Sequence, residues 1–135
     1  MENFELIPHT ADLKIKVFGK NKQELFRNAL IAMFKIIKPE YIEGEEKKFD
    51  VMVDSPDIEA LLVDFLSEAL YLSDANSIAF KDAQIHEFTD KSIVATIIGF
   101  PIKSFEVVEI KAVTYHDLSI KEVNGVWQTE IVFDI

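Results

Sequence analysis

Two helical segments lie in a chain that otherwise reads as β-strands, and the second segment constrains the fold most. Apolar residues recur at helical spacing from Ile58 to Leu72 and form an unusually wide face. Ser55-Pro56-Asp57 supplies a hydroxyl N-cap, a proline at the first helical position and an acid near the positive end of the helix dipole. The sequence therefore predicts a helix that starts at Ser55 and is covered on more than one side.

The other segments give the order of elements along the chain. Asn21, with Glu24 three residues later, predicts the start of a first helix that ends near Lys38, before Pro39. Alternating or β-branched runs predict strands at residues 13–17, 49–53, 78–80, 83–88, 92–98, 105–113, 118–123 and 126–133. The order strand, helix, strand, helix and then many strands predicts one α+β domain, residues 1–135, with helices packed on antiparallel sheet.

Charge and composition exclude several classes of function. The chain carries 24 Asp and Glu against 14 Lys and Arg, a net charge of −10, so we expect no direct binding of nucleic acid. Such a surface attracts cations or basic protein surfaces, or simply keeps the protein in solution. The absence of cysteine excludes disulfides, thiolate metal sites and a cysteine nucleophile. No long apolar stretch and no signal-like start are present, which predicts a cytoplasmic protein without a membrane span.

The last hairpin predicts where Asp134 points. Asn124-Gly125 is a strong two-residue turn signal that sets Val123 opposite Val126. Continuing this register gives the pairs Leu118–Ile131, His116–Phe133 and Tyr115–Asp134. Asp134 then lies on the outer, polar face, beside the terminal carboxylate of Ile135. A bulge between Tyr115 and Asp117 would break this register.

Asp12 is predicted on the polar face of its own strand, in alternation with Lys14 and Lys16. If that strand and the last strand are neighbours, Asp12, Asp134 and the Ile135 carboxylate come together. Three hard oxygen donors suit calcium, magnesium or manganese. The alternative is that Asp12 caps a turn and Asp134 is an ordinary solvated strand end.

The histidines carry no recognisable catalytic motif. His86 lies within a predicted strand and is interpreted as an ordinary exposed or half-buried residue. His9 and His116 stand beside Thr, Asp or Tyr, but neither belongs to a triad signature, and no serine lies in a nucleophile elbow. No glycine loop has the spacing of a nucleotide-binding motif.

Several motifs together resemble the archease family. His9-Thr10-Ala11-Asp12 resembles the first half of its signature, and the segment from Lys111 to Leu118 resembles the second. Asn124-Gly125, Trp127 and the ending Phe133-Asp134-Ile135 follow in the family order. The run from Ile58 to Leu62 resembles the long family helix, so the likeness covers essentially the whole chain.

The resemblance implies both a fold and a function. The fold is two mainly antiparallel sheets enclosing a layer of two helices. Archeases are non-enzymatic cofactors of the RtcB-type GTP-dependent RNA ligase in tRNA splicing and RNA repair, and they promote its guanylylation and repeated turnover. The metal-binding positions map to Asp12, Asp134 and Ile135, with calcium expected first and magnesium or manganese as alternatives. These are the three positions that strand alternation also predicts.

The chain departs from the family pattern at three places. Pro8 stands where an acid is common, Lys14 where a glycine is usual, and residues 102–109 form a short loop without a polar insert. These departures leave the metal aspartates intact and affect the rim of the site.

Two other functions stay open from the sequence. One is a chaperone-like modulator of a tRNA methyltransferase, a role that the family resemblance also suggests. The other is a metal-dependent hydrolase in which Asp12, Asp134 and His9 surround an activated water. The hydrolase is disfavoured because no separate general base with a clear motif is present.

Overall fold

The computed structural model describes residues 3–7, 12–105 and 110–135. The two helices are α1 (Lys22–Ile36) and α2 (Ile58–Asn76). The strands are β1 (Phe4–Ile7), β2 (Leu13–Gly19), β3 (Pro39–Tyr41), β4 (Lys47–Asp54), β5 (Ile78–Thr89), β6 (Ser92–Phe105), β7 (Ala112–Thr114), β8 (Lys121–Val123) and β9 (Val126–Asp134). Neither helix in this described part is long and apolar enough to cross a membrane.

Two antiparallel sheets enclose the helices, as predicted. In the first sheet the strand order is β1-β2-β9-β7, and β8 also pairs with β9. In the second the order is β3-β6-β4, and β5 also pairs with β6. Helix α1 packs against β2 of one sheet and β5 of the other, while α2 packs against β7 and against β4, β5 and β6. Both helices are thus covered on two sides, which explains the wide apolar face of α2.

Helix α1 begins as the sequence predicts. The Asn21 side chain accepts a hydrogen bond of 2.8 Å from the Glu24 N–H, which satisfies one free donor at the helix start. The Glu24 carboxylate in turn accepts from the Lys20 N–H at 3.2 Å. The helix ends at Ile36, just short of the predicted position, and Lys38 adopts a positive φ of 45° before Pro39.

The predicted start of α2 is wrong by two residues. Asp57, rather than Ser55, is the N-cap, and its carboxylate accepts from the Ala60 N–H at 2.8 Å. The Ser55 hydroxyl instead donates to Asp64 Oδ2 at 2.6 Å. The Ser55 hydroxyl is therefore bonded to Asp64 further along the helix and does not cap the helix start.

The last hairpin is confirmed only near its turn. Val123 lies opposite Val126, and both Asn124 and Gly125 have positive φ, as a type I′ turn requires. Beyond the pair Lys121–Gln128 the predicted register is wrong. A turn with Asp117 at φ 51° interrupts the strand, and the ladder resumes with Val113, not His116, opposite Phe133.

The sequence patterns missed two short strands. β1 and β3 contain four and three residues, too few for an alternation to stand out. The predicted strand at 105–113 divides differently: β6 continues to Phe105, β7 begins at Ala112, and residues 106–109 lie outside the described residues. The predicted loop at residues 102–109 is wrong for residues 102–105, which continue β6 through its pairing with β3.

Candidate functional site

Strand pairing decides whether the predicted oxygen donors can meet. β2 runs antiparallel to β9, from Gly19 opposite Trp127 to Leu13 opposite Phe133. The segment of Asp12 and the last strand are neighbours, but the prediction that Asp12 lies within the strand is wrong, because β2 begins at Leu13 and Asp12 lies in a bend just before it. The register ends at Leu13 opposite Phe133, and Asp12 and Asp134 are the residues that flank this last pair.

The main chain of Asp134 is held by the neighbouring strand on its other side. Asp134 lies opposite Ala112 of β7, and its carbonyl accepts a hydrogen bond of 2.8 Å from the Lys111 N–H. The side chain of Asp134 is exposed, and Ile135 retains 43% of its accessible surface. The backbone of Asp134 is thus fixed by β7, while its side-chain carboxylate is accessible. We call Asp12, Asp134 and Ile135 the anionic end.

The outer face of the sheet changes character next to the anionic end. Val132, the next outward position of β9, is 5% exposed and lies opposite Lys14 of β2 and Thr114 of β7. The Lys14 ammonium is 3.8 Å from a carboxylate oxygen of Glu130 on β9, so Lys14 forms an ion pair with Glu130. This ion pair gives Lys14 a local partner on the neighbouring strand.

The donor chemistry of the anionic end fits a hard dication. Carboxylate oxygens are the ligands that calcium, magnesium and manganese prefer. Within residues 3–7, 12–105 and 110–135, no group of three or more His, Cys, Asp or Glu side chains is arranged to hold a metal ion. The prediction for the anionic end has two aspartate side chains as donors and the carboxylate of Ile135 as the third.

Tyr115 does not lie opposite Asp134, contrary to the predicted register. Its hydroxyl donates to Asp64 Oδ1 of α2 at 3.1 Å. Partial desolvation and then this hydrogen bond to a carboxylate raise the pKa of Tyr115 above its usual value. The turn at Asp117 moves Tyr115 toward the helix, and Tyr115 contributes nothing to the anionic end.

The three histidines lie in different parts of the chain and do not form a common site among the described residues. His9, with Pro8, lies outside the described residues. His116 is exposed, and its Nε2 is 3.2 Å from a carboxylate oxygen of its neighbour Asp117. The structure gives His116 no contact with the described residues of the anionic end.

His86 belongs to a hydrogen-bonded chain that the sequence did not predict. The Thr96 hydroxyl donates to Asp50 Oδ1 at 2.7 Å, and His86 Nε2 lies 2.8 Å from the same hydroxyl oxygen. Because the Thr96 proton is already committed to Asp50, His86 Nε2 is the donor of the second bond. The chain crosses the three strands β5, β6 and β4, so only knowledge of the strand order could have revealed it.

Comparison with known proteins places the chain in a family. Residues 4–135 match the Archease protein family (MTH1598/TM1083). "Protein archease" of Methanosarcina barkeri is 39% identical, with 99% of this chain and 97% of that protein covered. "Protein archease" of Pyrococcus abyssi is 33% identical, and the alignment covers all of both chains.

Solved structures agree with this relationship. The solution structure of Methanobacterium thermoautotrophicum protein 1598 has a TM-score of 0.75 and 28% identity, with both chains fully covered. The crystal structure of a Thermotoga maritima archease, described as a possible chaperone, has a TM-score of 0.70 and 25% identity, covering 96% of this chain and 94% of that one. The solved structures share the architecture of two sheets around two helices. Together with the family match and the sequence identities, this shows that the chain belongs to the archease family.

Proposed function

We propose that this protein activates an RtcB-type GTP-dependent RNA ligase by promoting guanylylation of the ligase, and that activation depends on a divalent cation held at the anionic end. Family membership over residues 4–135 supports the first part. The observation that supports the second is the pairing of β2 with β9, whose last pair, Leu13 opposite Phe133, is flanked by Asp12 and Asp134.

Each residue of the anionic end would have a definite task. Asp12, in the bend before β2, and Asp134, at the end of β9, would provide side-chain carboxylates, while the carboxylate of Ile135 would provide a third oxygen ligand. A bound dication would supply positive charge and coordination positions for oxygen ligands of a partner. The exposure of Asp134 and Ile135 leaves this end accessible to a second protein.

The overall charge supports a protein partner rather than RNA. A net charge of −10 disfavours contact with phosphate backbones and favours association with a basic protein surface. An acidic activator can approach an RNA-handling enzyme without competing for its RNA. We therefore assign RNA recognition to the ligase and activation to this protein.

The test is guanylylation of the purified ligase with GTP, measured with and without this protein. We expect faster guanylylation and several turnovers per ligase when the protein and calcium are present. Magnesium and manganese are compared in parallel, and a chelator should remove the effect. Equal rates with and without the protein would contradict the proposal.

A second candidate partner follows from one comparison. The Thermotoga maritima archease is described as a possible chaperone, and a chaperone-like role implies a client protein such as a tRNA methyltransferase. Pull-down of the full chain against the ligase and the methyltransferase separates the two. Retention of the methyltransferase alone would favour the chaperone role.

We also propose that the protein is not itself an enzyme. Incubation of the purified protein with phosphate esters and a divalent cation should give no hydrolysis above buffer. Turnover that disappears in an Asp134→Ala variant would instead support the metal-dependent hydrolase.

A further inference from the structure

A concave site lies where α1 ends and β3 begins, on side chains that the proposed activator function does not use. Its walls are mostly apolar, and its volume is about 340 Å³. This volume is within the range of small-molecule sites in proteins. The lysine-rimmed pocket, as we call it, is lined by Ile31, Phe34, Pro39, Tyr41 and Phe80, with Lys35 and Lys81 at its rim.

Irregular backbone at two places creates the pocket. α1 stops at Ile36, Lys38 turns the chain with φ 45°, and Pro39 starts β3. In β5 the register shifts between Phe80 and Asp82, so Lys81 is an extra, bulged residue. A bulge redirects a side chain out of the regular alternation.

The bulge brings the Lys81 ammonium over two aromatic rings. It lies 4.3 Å from the ring centre of Tyr41 and 5.2 Å from that of Phe100. The two rings themselves meet edge to face, with centres 6.5 Å apart. These contacts hold Lys81 beside the pocket, and partial burial raises the pKa of the neighbouring Tyr41.

The two rim lysines are available for an anion. In the part of the chain that the structure describes, neither Lys35 nor Lys81 forms an ion pair with a carboxylate. The adjacent acid on β5, Asp82, is engaged by Arg27 of α1 at 2.6 and 3.2 Å. The pocket is therefore a cationic rim around an apolar interior, in a chain whose net charge is −10.

We propose that the lysine-rimmed pocket binds a small organic anion: a carboxylate carried on an aromatic or branched aliphatic body. The apolar body would lie against Ile31, Phe34 and Phe80, and the carboxylate would lie between the ammonium groups of Lys35 and Lys81. Burial of the body supplies affinity, while the two charge-assisted contacts select an anion over a neutral or cationic analogue.

The test is titration of 3-phenylpropanoate into the isotope-labelled full chain, followed by amide and methyl NMR shifts. We expect saturable changes centred on Ile31, Tyr41 and Lys81, with a dissociation constant of roughly 1 mM for a ligand this small. The neutral match, 3-phenylpropanamide, should bind about tenfold more weakly, because it lacks the charge-assisted contacts.

A pair of variants makes the test specific. The double variant Lys35→Gln/Lys81→Gln should weaken 3-phenylpropanoate binding about tenfold and leave binding of the amide unchanged, since only the acid uses the ammonium groups. Both lysines are exposed, so the variant should fold, and its NMR spectrum verifies this. Lys48→Gln is the matched control, because Lys48 is exposed and pairs with Glu46 at 3.7 Å, away from the pocket.

Three outcomes would overturn the proposal. They are the absence of saturable shifts at the pocket, equal affinity for the acid and its amide, and an unchanged affinity in the double lysine variant. None of these outcomes bears on ligase activation, so the proposed function stands or falls separately.

Discussion

The anionic end and the lysine-rimmed pocket differ in charge, in depth and in how the chain builds them. The anionic end has an exposed aspartate at the end of β9 and a second, half-buried aspartate in the bend before the adjacent strand β2. The pocket has apolar walls and two ammonium groups, and it depends on a strand bulge and on a turn after a helix. Regular strands place charge by simple alternation, whereas the pocket needs departures from regularity.

The two regions also differ in their link to the core. The pocket floor includes Phe80, which is 1% exposed and meets the rings of Phe34 and Phe49 edge to face at 5.6 and 5.8 Å. Asp134 is exposed and is joined to the core through its backbone and its buried neighbour Phe133. Substitutions should therefore cost stability at the pocket floor and function at the anionic end.

The largest effect on stability is expected from Phe80→Ala. Loss of a fully buried ring removes its packing and leaves a cavity, which should lower the free energy of unfolding by about 3–5 kcal/mol. Chemical denaturation measures the change. Met52→Ala in β4 is the control, because Met52 is 75% exposed and should change stability by less than about 0.5 kcal/mol. A loss in Phe80→Ala no larger than that in Met52→Ala would contradict the link between the pocket floor and the core.

Asp134→Ala should have the opposite profile. We expect nearly unchanged stability, because an exposed aspartate contributes little to packing. Calcium affinity should fall by roughly tenfold or more, since affinity follows the number of charged ligands. Ligase activation should be lost with it, as measured by calorimetry and by guanylylation. Asp54→Ala provides a matched control at the exposed end of β4.

A C-terminal extension should also lower calcium affinity and ligase activation, with a smaller loss of calcium affinity than Asp134→Ala. It converts the Ile135 carboxylate to a neutral amide and removes one anionic ligand while both aspartates remain. It also adds bulk at an accessible end, whereas an N-terminal tag should be milder. If the tagged form and Asp134→Ala both stimulate guanylylation at the untagged rate, the anionic end has no part in activation.

The smallest change in stability is expected from Asp82→Asn, at the contact between Arg27 of α1 and Asp82 of β5 beside the pocket. The hydrogen-bonded Arg27 guanidinium lowers the pKa of Asp82 in the folded protein. A carboxyl group whose pKa is lower in the folded state than in the unfolded state stabilises the fold fully at pH values above its unfolded-state pKa. This stabilisation is lost as the pH falls through its folded-state pKa. Because both side chains are well exposed, Asp82→Asn should cost only about 0.5–1 kcal/mol near pH 7.

The pH dependence of that cost is the diagnostic. The stability difference between the parent and Asp82→Asn should shrink below about pH 4, where the carboxyl becomes protonated in the unfolded state and then in the folded state. Denaturation at several pH values measures it. Asp74→Asn, at an exposed position without an ion pair among the described residues, is the matched control.

The sequence by itself determined the locally encoded features of this protein. The Asn21 cap, the Asn124-Gly125 turn and the alternation around Ile15 and Val17 are correct because each depends on a few consecutive residues. The fold class followed from the order of these elements and from the family resemblance. The position of Asp134 on an outer strand face also followed from alternation alone.

Only the tertiary structure decided which distant segments meet. The pairing of β2 with β9, the bond from Tyr115 to Asp64 and the bulge at Lys81 join residues far apart in the chain or depend on a neighbouring strand. Strand register is fixed by packing and by hydrogen bonds across the whole sheet, so a single turn at Asp117 was enough to change it. Side-chain alternation is a local property of the chain and can be predicted from the sequence. The partner of each strand depends on packing between distant segments, so only the folded core decides it.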